Sequence, residues 1–174
     1  MRNFSKTVLG GLAVTSLLCA ASAAWADDDE RKSFKARLLG FNEVPAVSST
    51  GRGEFSARIV GDDRIDWELT YEMLEGTTTA AAHVHLGQTS VNGGVSFFLC
   101  GGPTTAPCTP TSGSFSGTTL AADVVGPTAQ GIASGEIAEI IRAMRAGKTY
   151  ANVHTNKHPG GEIRGQLRAH GEND

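Results

Sequence analysis

Ile65, Trp67, Leu69, Tyr71 and Met73 alternate with Asp66, Glu68, Thr70 and Glu72. Successive side chains on a strand point to opposite faces, so the stretch predicts a β-strand with one apolar and one wet face. Weaker runs of the same kind predict further strands over 34–41, 54–60, 81–86, 95–99, 112–120, 150–155 and 162–168. One segment has a different period. Ile137, Ile140, Ile141 and Met144 recur at i, i+3, i+4 and i+7, with Ser134 before them as a cap and Gly147 after them as a stop. This predicts a single helix over about 135–146 whose apolar face covers the core. The Pro- and Gly-bearing stretch 101–112 reads as a long loop. About eight short strands and one short helix define an all-β fold, a Greek-key-like barrel or sandwich with the Trp67 strand at its centre.

The chain has 174 residues, enough for one domain on the usual scale. Its ends do not belong to that domain. Arg2 and Lys6 precede a largely apolar run over 8–20, and Ala24-Trp25-Ala26 supplies small residues for cleavage, so residues 1–26 read as a signal peptide cut before Asp27. The apolar run is too short for a stable membrane span, which needs about 20 apolar residues. Leu18 before Cys19 argues against a lipoprotein signal. Residues 27–32 form a charged, disordered N-terminus with nothing to bury. The fold spans 33–168, and a polar tail, 169–174, follows. This organisation predicts a periplasmic or secreted protein. Acidic residues outnumber basic ones, 18 to 15, and the leader carries two of the basic ones, so nucleic acid is excluded as a partner class.

Loss of the leader removes Cys19 and leaves Cys100 and Cys108, an even pair in an exported chain, which predicts a disulfide. The competing reading is a two-thiolate metal site. Seven intervening residues and no neighbouring histidine weaken it.

The chemistry concentrates in the histidines. Of the five in the chain, four fall in two pairs: His83 with His85, and His154 with His158. Residues i and i+2 of a strand share a face, so His83 and His85 can aim two imidazoles at one ion. His154 ends another predicted strand, and Pro159-Gly160-Gly161 makes His158 approach through a turn. Together they predict one metal site. Imidazoles without thiolate or carboxylate favour copper, with zinc as the alternative. The competing reading is a set of hydrogen-bonding histidines in a polar loop cluster. His170 falls in the polar tail and reads as solvated. Arg164, Glu162 and Asn152 crowd the same predicted site: Arg164 reads either as a cation that draws in small anions or as the ion-pair partner of Glu162 or a neighbouring carboxylate.

Leu39-Gly40-Phe41-Asn42-Glu43-Val44-Pro45, Ala82-His83-Val84-His85, the run 150–155 and Pro159-Gly160-Gly161-Glu162-Ile163-Arg164-Gly165-Gln166-Leu167 together resemble the CHRD domain, named from chordin, over about 33–168. The resemblance implies an extracytoplasmic β domain and no agreed activity, and it leaves His158 as the least secure ligand. The site also resembles the copper side of copper-zinc superoxide dismutase. That likeness implies His83, His85 and His154 as copper ligands and Arg164 as an anion guide. No zinc loop bearing His and Asp separates the pairs, and the disulfide spacing differs, so the analogy is to a copper-only enzyme. Three functions follow as expectations: an exported copper-binding protein, a copper-only superoxide dismutase, or a metal-independent extracellular interaction module. Ligand residues serve the first two equally, so the sequence leaves open whether the protein is an enzyme.

Overall fold

The computed structural model describes Met1 and residues 32–170. The expected signal peptide, apart from Met1, most of the charged run 27–32 and residues 171–174 of the tail lie outside the described residues. Nine antiparallel strands form one sheet: β1 (Ser33–Leu39), β2 (Arg52–Val60), β3 (Arg64–Glu72), β4 (Thr79–Leu86), β5 (Val95–Cys100), β6 (Gly113–Thr119), β7 (Thr149–Thr155), β8 (Ile163–Gln166) and β9 (Arg168–Ala169). Their order is β5-β4-β7-β8-β1-β2-β3-β6, with β9 beside β1. The sheet curls until β5 and β6 approach each other, giving a nearly closed barrel. Helix α1 (Ile137–Arg145) lies between β6 and β7 in the chain.

The inward positions alternate as the pattern requires. Phe34, Ala36 and Leu38 from β1, Phe55, Ala57 and Ile59 from β2, and Ile65, Trp67 and Leu69 from β3 fill one side of the core. Ala82 and Val84 of β4, Phe97 and Leu99 of β5, and Ala151 and Val153 of β7 fill the other. Trp67 also satisfies its indole N–H on Thr119 Oγ1 at 3.1 Å, which a buried indole requires. Ile137, Ile140, Ile141 and Met144 are all buried in this core, so the helix packs as its period implies.

Four local expectations change. The Trp67 strand β3 is paired on both sides but stands next to the end of the path, and β8 and β1 are the middle strands. Met73 is about half exposed because β3 stops at Glu72 and Met73 turns to a φ of +59°. Ser134 does not cap the helix: its hydroxyl donates to Val124 O, and Glu136 takes the cap position while its carboxylate accepts from the Ala133 N–H. The last expected strand divides at Leu167, whose side chain enters the core between β8 and β9.

Cys100 and Cys108 are bonded, with Cα atoms 5.1 Å apart. The bridge ties the end of β5 to the loop that leads into β6, so it fastens the seam of the barrel. Closing so short a loop contributes about 2–3 kcal/mol in the chain-entropy treatment. Replacing both cysteines with alanine should lower the urea-unfolding free energy by about that amount. Stability equal to the parent's would contradict this role.

Candidate metal centre

β4 and β7 pair so that Ala81 faces His154, His83 faces Asn152 and His85 faces Tyr150. Partners across a pair point to the same face, and Ala82, Val84, Ala151 and Val153 take the core side. His83, His85 and His154 therefore stand together on the outer face of the barrel. Register shifts between β4 and β5 occur at Ala82/His83 and Val84/His85, a device that re-aims side chains beside a site. The ring centroids lie 4.9 Å apart for His83 and His154, 5.3 Å for His83 and His85, and 6.0 Å for His85 and His154. One nitrogen from each ring lies within 4.8 Å of the others.

Each ring also keeps a buried nitrogen without a hydrogen-bond partner: Nδ1 of His83, Nε2 of His85 and Nε2 of His154. The remaining nitrogens of two of them are spoken for. His85 Nδ1 meets Gly93 O at 3.0 Å, and His154 Nδ1 meets Pro159 O at 3.0 Å. A carbonyl only accepts, so both Nδ1 atoms carry the hydrogen and both Nε2 atoms present bare lone pairs. Outer partners of this kind orient histidines that ligate metals. Burial keeps the rings neutral: it pushes the His83 pKa down to about 3, helped by His154 and His85, and that of His85 down to about 4 against the raising effect of Gly93 O. Burial likewise lowers His154, opposed by its bond to Pro159. Three neutral imidazoles converge, and buried nitrogens without partners cost free energy unless something binds them. The cluster fits a metal ion.

His158 is not part of this group. Its backbone builds the turn after β7: its N–H donates to Thr155 Oγ1, and its carbonyl accepts from Thr155 and Gly161. His170 is exposed, as expected.

Arg164 is 2% exposed and donates from its guanidinium to Asn92 Oδ1, Gln88 O and Val91 O at 3.0, 3.3 and 2.7 Å. It holds the 87–94 loop over the outer face of the sheet. It does not pair with Glu162, which accepts instead from Ser49 Oγ, Thr155 Oγ1 and the Glu75 N–H. The carboxylate whose charge Arg164 senses is Glu43. Buried beside the site, Glu43 accepts from Asn152 Nδ2 at 2.6 Å, and burial raises its pKa to about 7 against the lowering effects of Asn152 and Arg164. Gly161, at φ +127°, makes room for this contact, because a Cβ there would stand 2.7 Å from Glu43 Oε1. The sequence marked Asn152 beside the site, but it offered Glu43 only as part of the family-like motif 39–45.

The fold and the site together define a β-barrel domain with a three-histidine, metal-competent centre on its outer face. The chain belongs to the CHRD domain family, whose model matches residues 34–167. No curated protein and no solved structure matches it. Among the described residues no helix is long and apolar enough to cross a membrane.

Proposed function

We propose that the protein is an exported copper-binding CHRD domain that holds one copper ion on His83, His85 and His154. The observation behind this reading is the set of three converging neutral imidazoles, each with a buried nitrogen that lacks a partner. Neither thiolate nor carboxylate joins the group, and for nitrogen ligands divalent copper exceeds zinc in affinity. Titration of the metal-free protein with copper(II) should reach one equivalent, with zinc displaced in competition. Replacing His83 and His85 together with alanine should abolish that equivalent; an unchanged stoichiometry would refute the ligand set, and no binding by the parent would leave the metal-independent interaction module.

A second reading is copper-only superoxide dismutation. Three histidines leave an ion short of its usual four ligands, which favours an open position for a small substrate, and bound copper would supply the one-electron redox chemistry. Arg164 then serves as a support of the 87–94 loop. Superoxide removal by the loaded protein above that of free copper, lost in the double histidine variant, would establish turnover. Activity no greater than free copper would leave binding alone.

A further inference from the structure

His85 is held on two sides by one residue. Its imidazole lies flush on the Tyr150 ring, with centroids 4.7 Å apart and planes 2° from parallel. β7 runs between β4 and β8, so Arg164 comes to Tyr150 from the side opposite His85, and its guanidinium carbon sits 3.4 Å from the ring centroid. Imidazole, phenol and guanidinium form a three-layer stack, and a planar cation over a tyrosine face is an attractive contact. The phenol oxygen of Tyr150 accepts from the Gly93 N–H at 3.1 Å, and Gly93 O is the group that meets His85 Nδ1. Tyr150 thus fixes the face of the imidazole directly and its edge through Gly93.

The rest of the loop reinforces this. Arg164 bonds to Gln88, Val91 and Asn92, while the Gly94 N–H donates to Gln130 Oε1 at 2.6 Å. Gly93 has no substitute, since a Cβ at that position would lie 1.6 Å from Leu86 O. The other two histidines lack such a support. His83 meets Phe98 edge-on, and His154 relies on Pro159 O alone among these contacts.

We infer that Tyr150, backed by Arg164, is a positioning residue that sets the ring plane of His85 and with it the coordination geometry of the bound metal. The inference rests on the copper reading above. A ligand ring is defined by two torsions; the flush stack fixes the plane, and the Gly93 bond fixes the rotation within it. Removing an outer partner of a ligating histidine typically costs 10- to 100-fold in metal affinity, and Tyr150 is outer partner and stacking surface at once.

The experiment uses the mature protein loaded with one equivalent of copper(II), with the parallel copper hyperfine coupling read by electron paramagnetic resonance and affinity read by competition with a chelator. Tyr150→Leu removes ring and hydroxyl and should shift the coupling and weaken binding about 10- to 100-fold. Tyr150→Phe keeps the stack and should restore most of the coupling. Arg164→Lys, which loses the planar layer but keeps the charge, should move the coupling in the direction of the leucine variant, and it serves as the test if Tyr150→Leu does not fold. Parental coupling and affinity in folded Tyr150→Leu and Arg164→Lys would overturn the positioning role while leaving the copper site intact. A parent that takes up no copper, or a His83, His85 double variant that still does, would instead remove the copper reading on which it depends.

Discussion

Glu162→Ala should destabilise the protein by roughly 3–5 kcal/mol, the range for breaking a buried charged network. The carboxylate is fully buried and accepts from Ser49 Oγ at 2.7 Å, from the Glu75 N–H at 2.6 Å and from Thr155 Oγ1 at 2.6 Å. Burial by itself would raise its pKa, but the bonds from Thr155, the Glu75 backbone, Ser49 and the Gly76 backbone outweigh burial and hold it below the ordinary carboxylate range. Alanine would leave these donors without an acceptor, and each orphaned donor costs about 1–3 kcal/mol. The clamp joins three separate stretches of chain: the loop before β2, the loop after β3 and the end of β7. Thr155 Oγ1 also accepts from the His158 N–H, so the turn that carries Pro159 O, and with it the orientation of His154, depends on the same carboxylate. Urea unfolding of the two proteins at pH 7 measures the difference. A change within about 0.5 kcal/mol, the level of an ordinary surface substitution, would show that Glu162 clamps nothing.

The metal-free protein should lose stability as pH falls from about 6.5 toward 4. In the unfolded chain the histidines take up protons near 6.5. In the folded protein burial holds His83 down to about 3 and His85 down to about 4, and it lowers His154 in the same direction. Between those limits the unfolded state binds more protons, so stability rises with pH, by up to about 1.4 kcal/mol per pH unit for each group. Glu43 works the other way. Its folded pKa, raised to about 7, makes the folded state the better proton binder from about 4.5 to 7 and cancels one histidine's share. The two strongly depressed histidines less Glu43's share leave a net slope of about one proton, to which His154 adds in the same direction, large against a typical total stability of about 5–15 kcal/mol. Glu162 adds to the acid limb: its contribution is present above the ordinary carboxylate pKa and lost as pH falls through its lower folded value. Urea midpoints from pH 4.5 to 7.5 should therefore climb, and the double alanine variant of His83 and His85 should climb less steeply. A profile that falls between pH 4.5 and 7, which is Glu43's share alone, would mean that the histidines are solvated and protonate freely.

The strands were legible where one face is wet. β3 alternates cleanly because Asp66, Glu68, Thr70 and Glu72 face out while Ile65, Trp67, Leu69 and Tyr71 face in. The strands that carry the site are harder to read for a physical reason. β7 is buried at almost every position, because the core covers one face while the site and its loops cover the other. Period two then disappears, and nothing local marks β7 and β8 as strands near the middle of the sheet. The two histidines of β4 could be paired from their spacing, and the register of β4 with β7 brings in His154. His158 lies outside the group of three, and its own Nε2 is buried without a partner. What stayed hidden were contacts made by loops. Arg164 reads from sequence as an anion-attracting cation or an ion-pair partner, yet it donates to three carbonyl-type acceptors from one loop. Tyr150 reads as an ordinary strand aromatic, and only the register beside His85 reveals its stack.

The most direct measurement is the number of nitrogens bound to copper(II), counted from the ligand hyperfine structure in the electron paramagnetic resonance spectrum of the protein loaded with one equivalent. Three imidazole nitrogens are expected, falling to two in His154→Ala. A nitrogen count that is the same in His154→Ala as in the parent, or a spectrum without nitrogen coupling, would contradict a copper centre built from His83, His85 and His154.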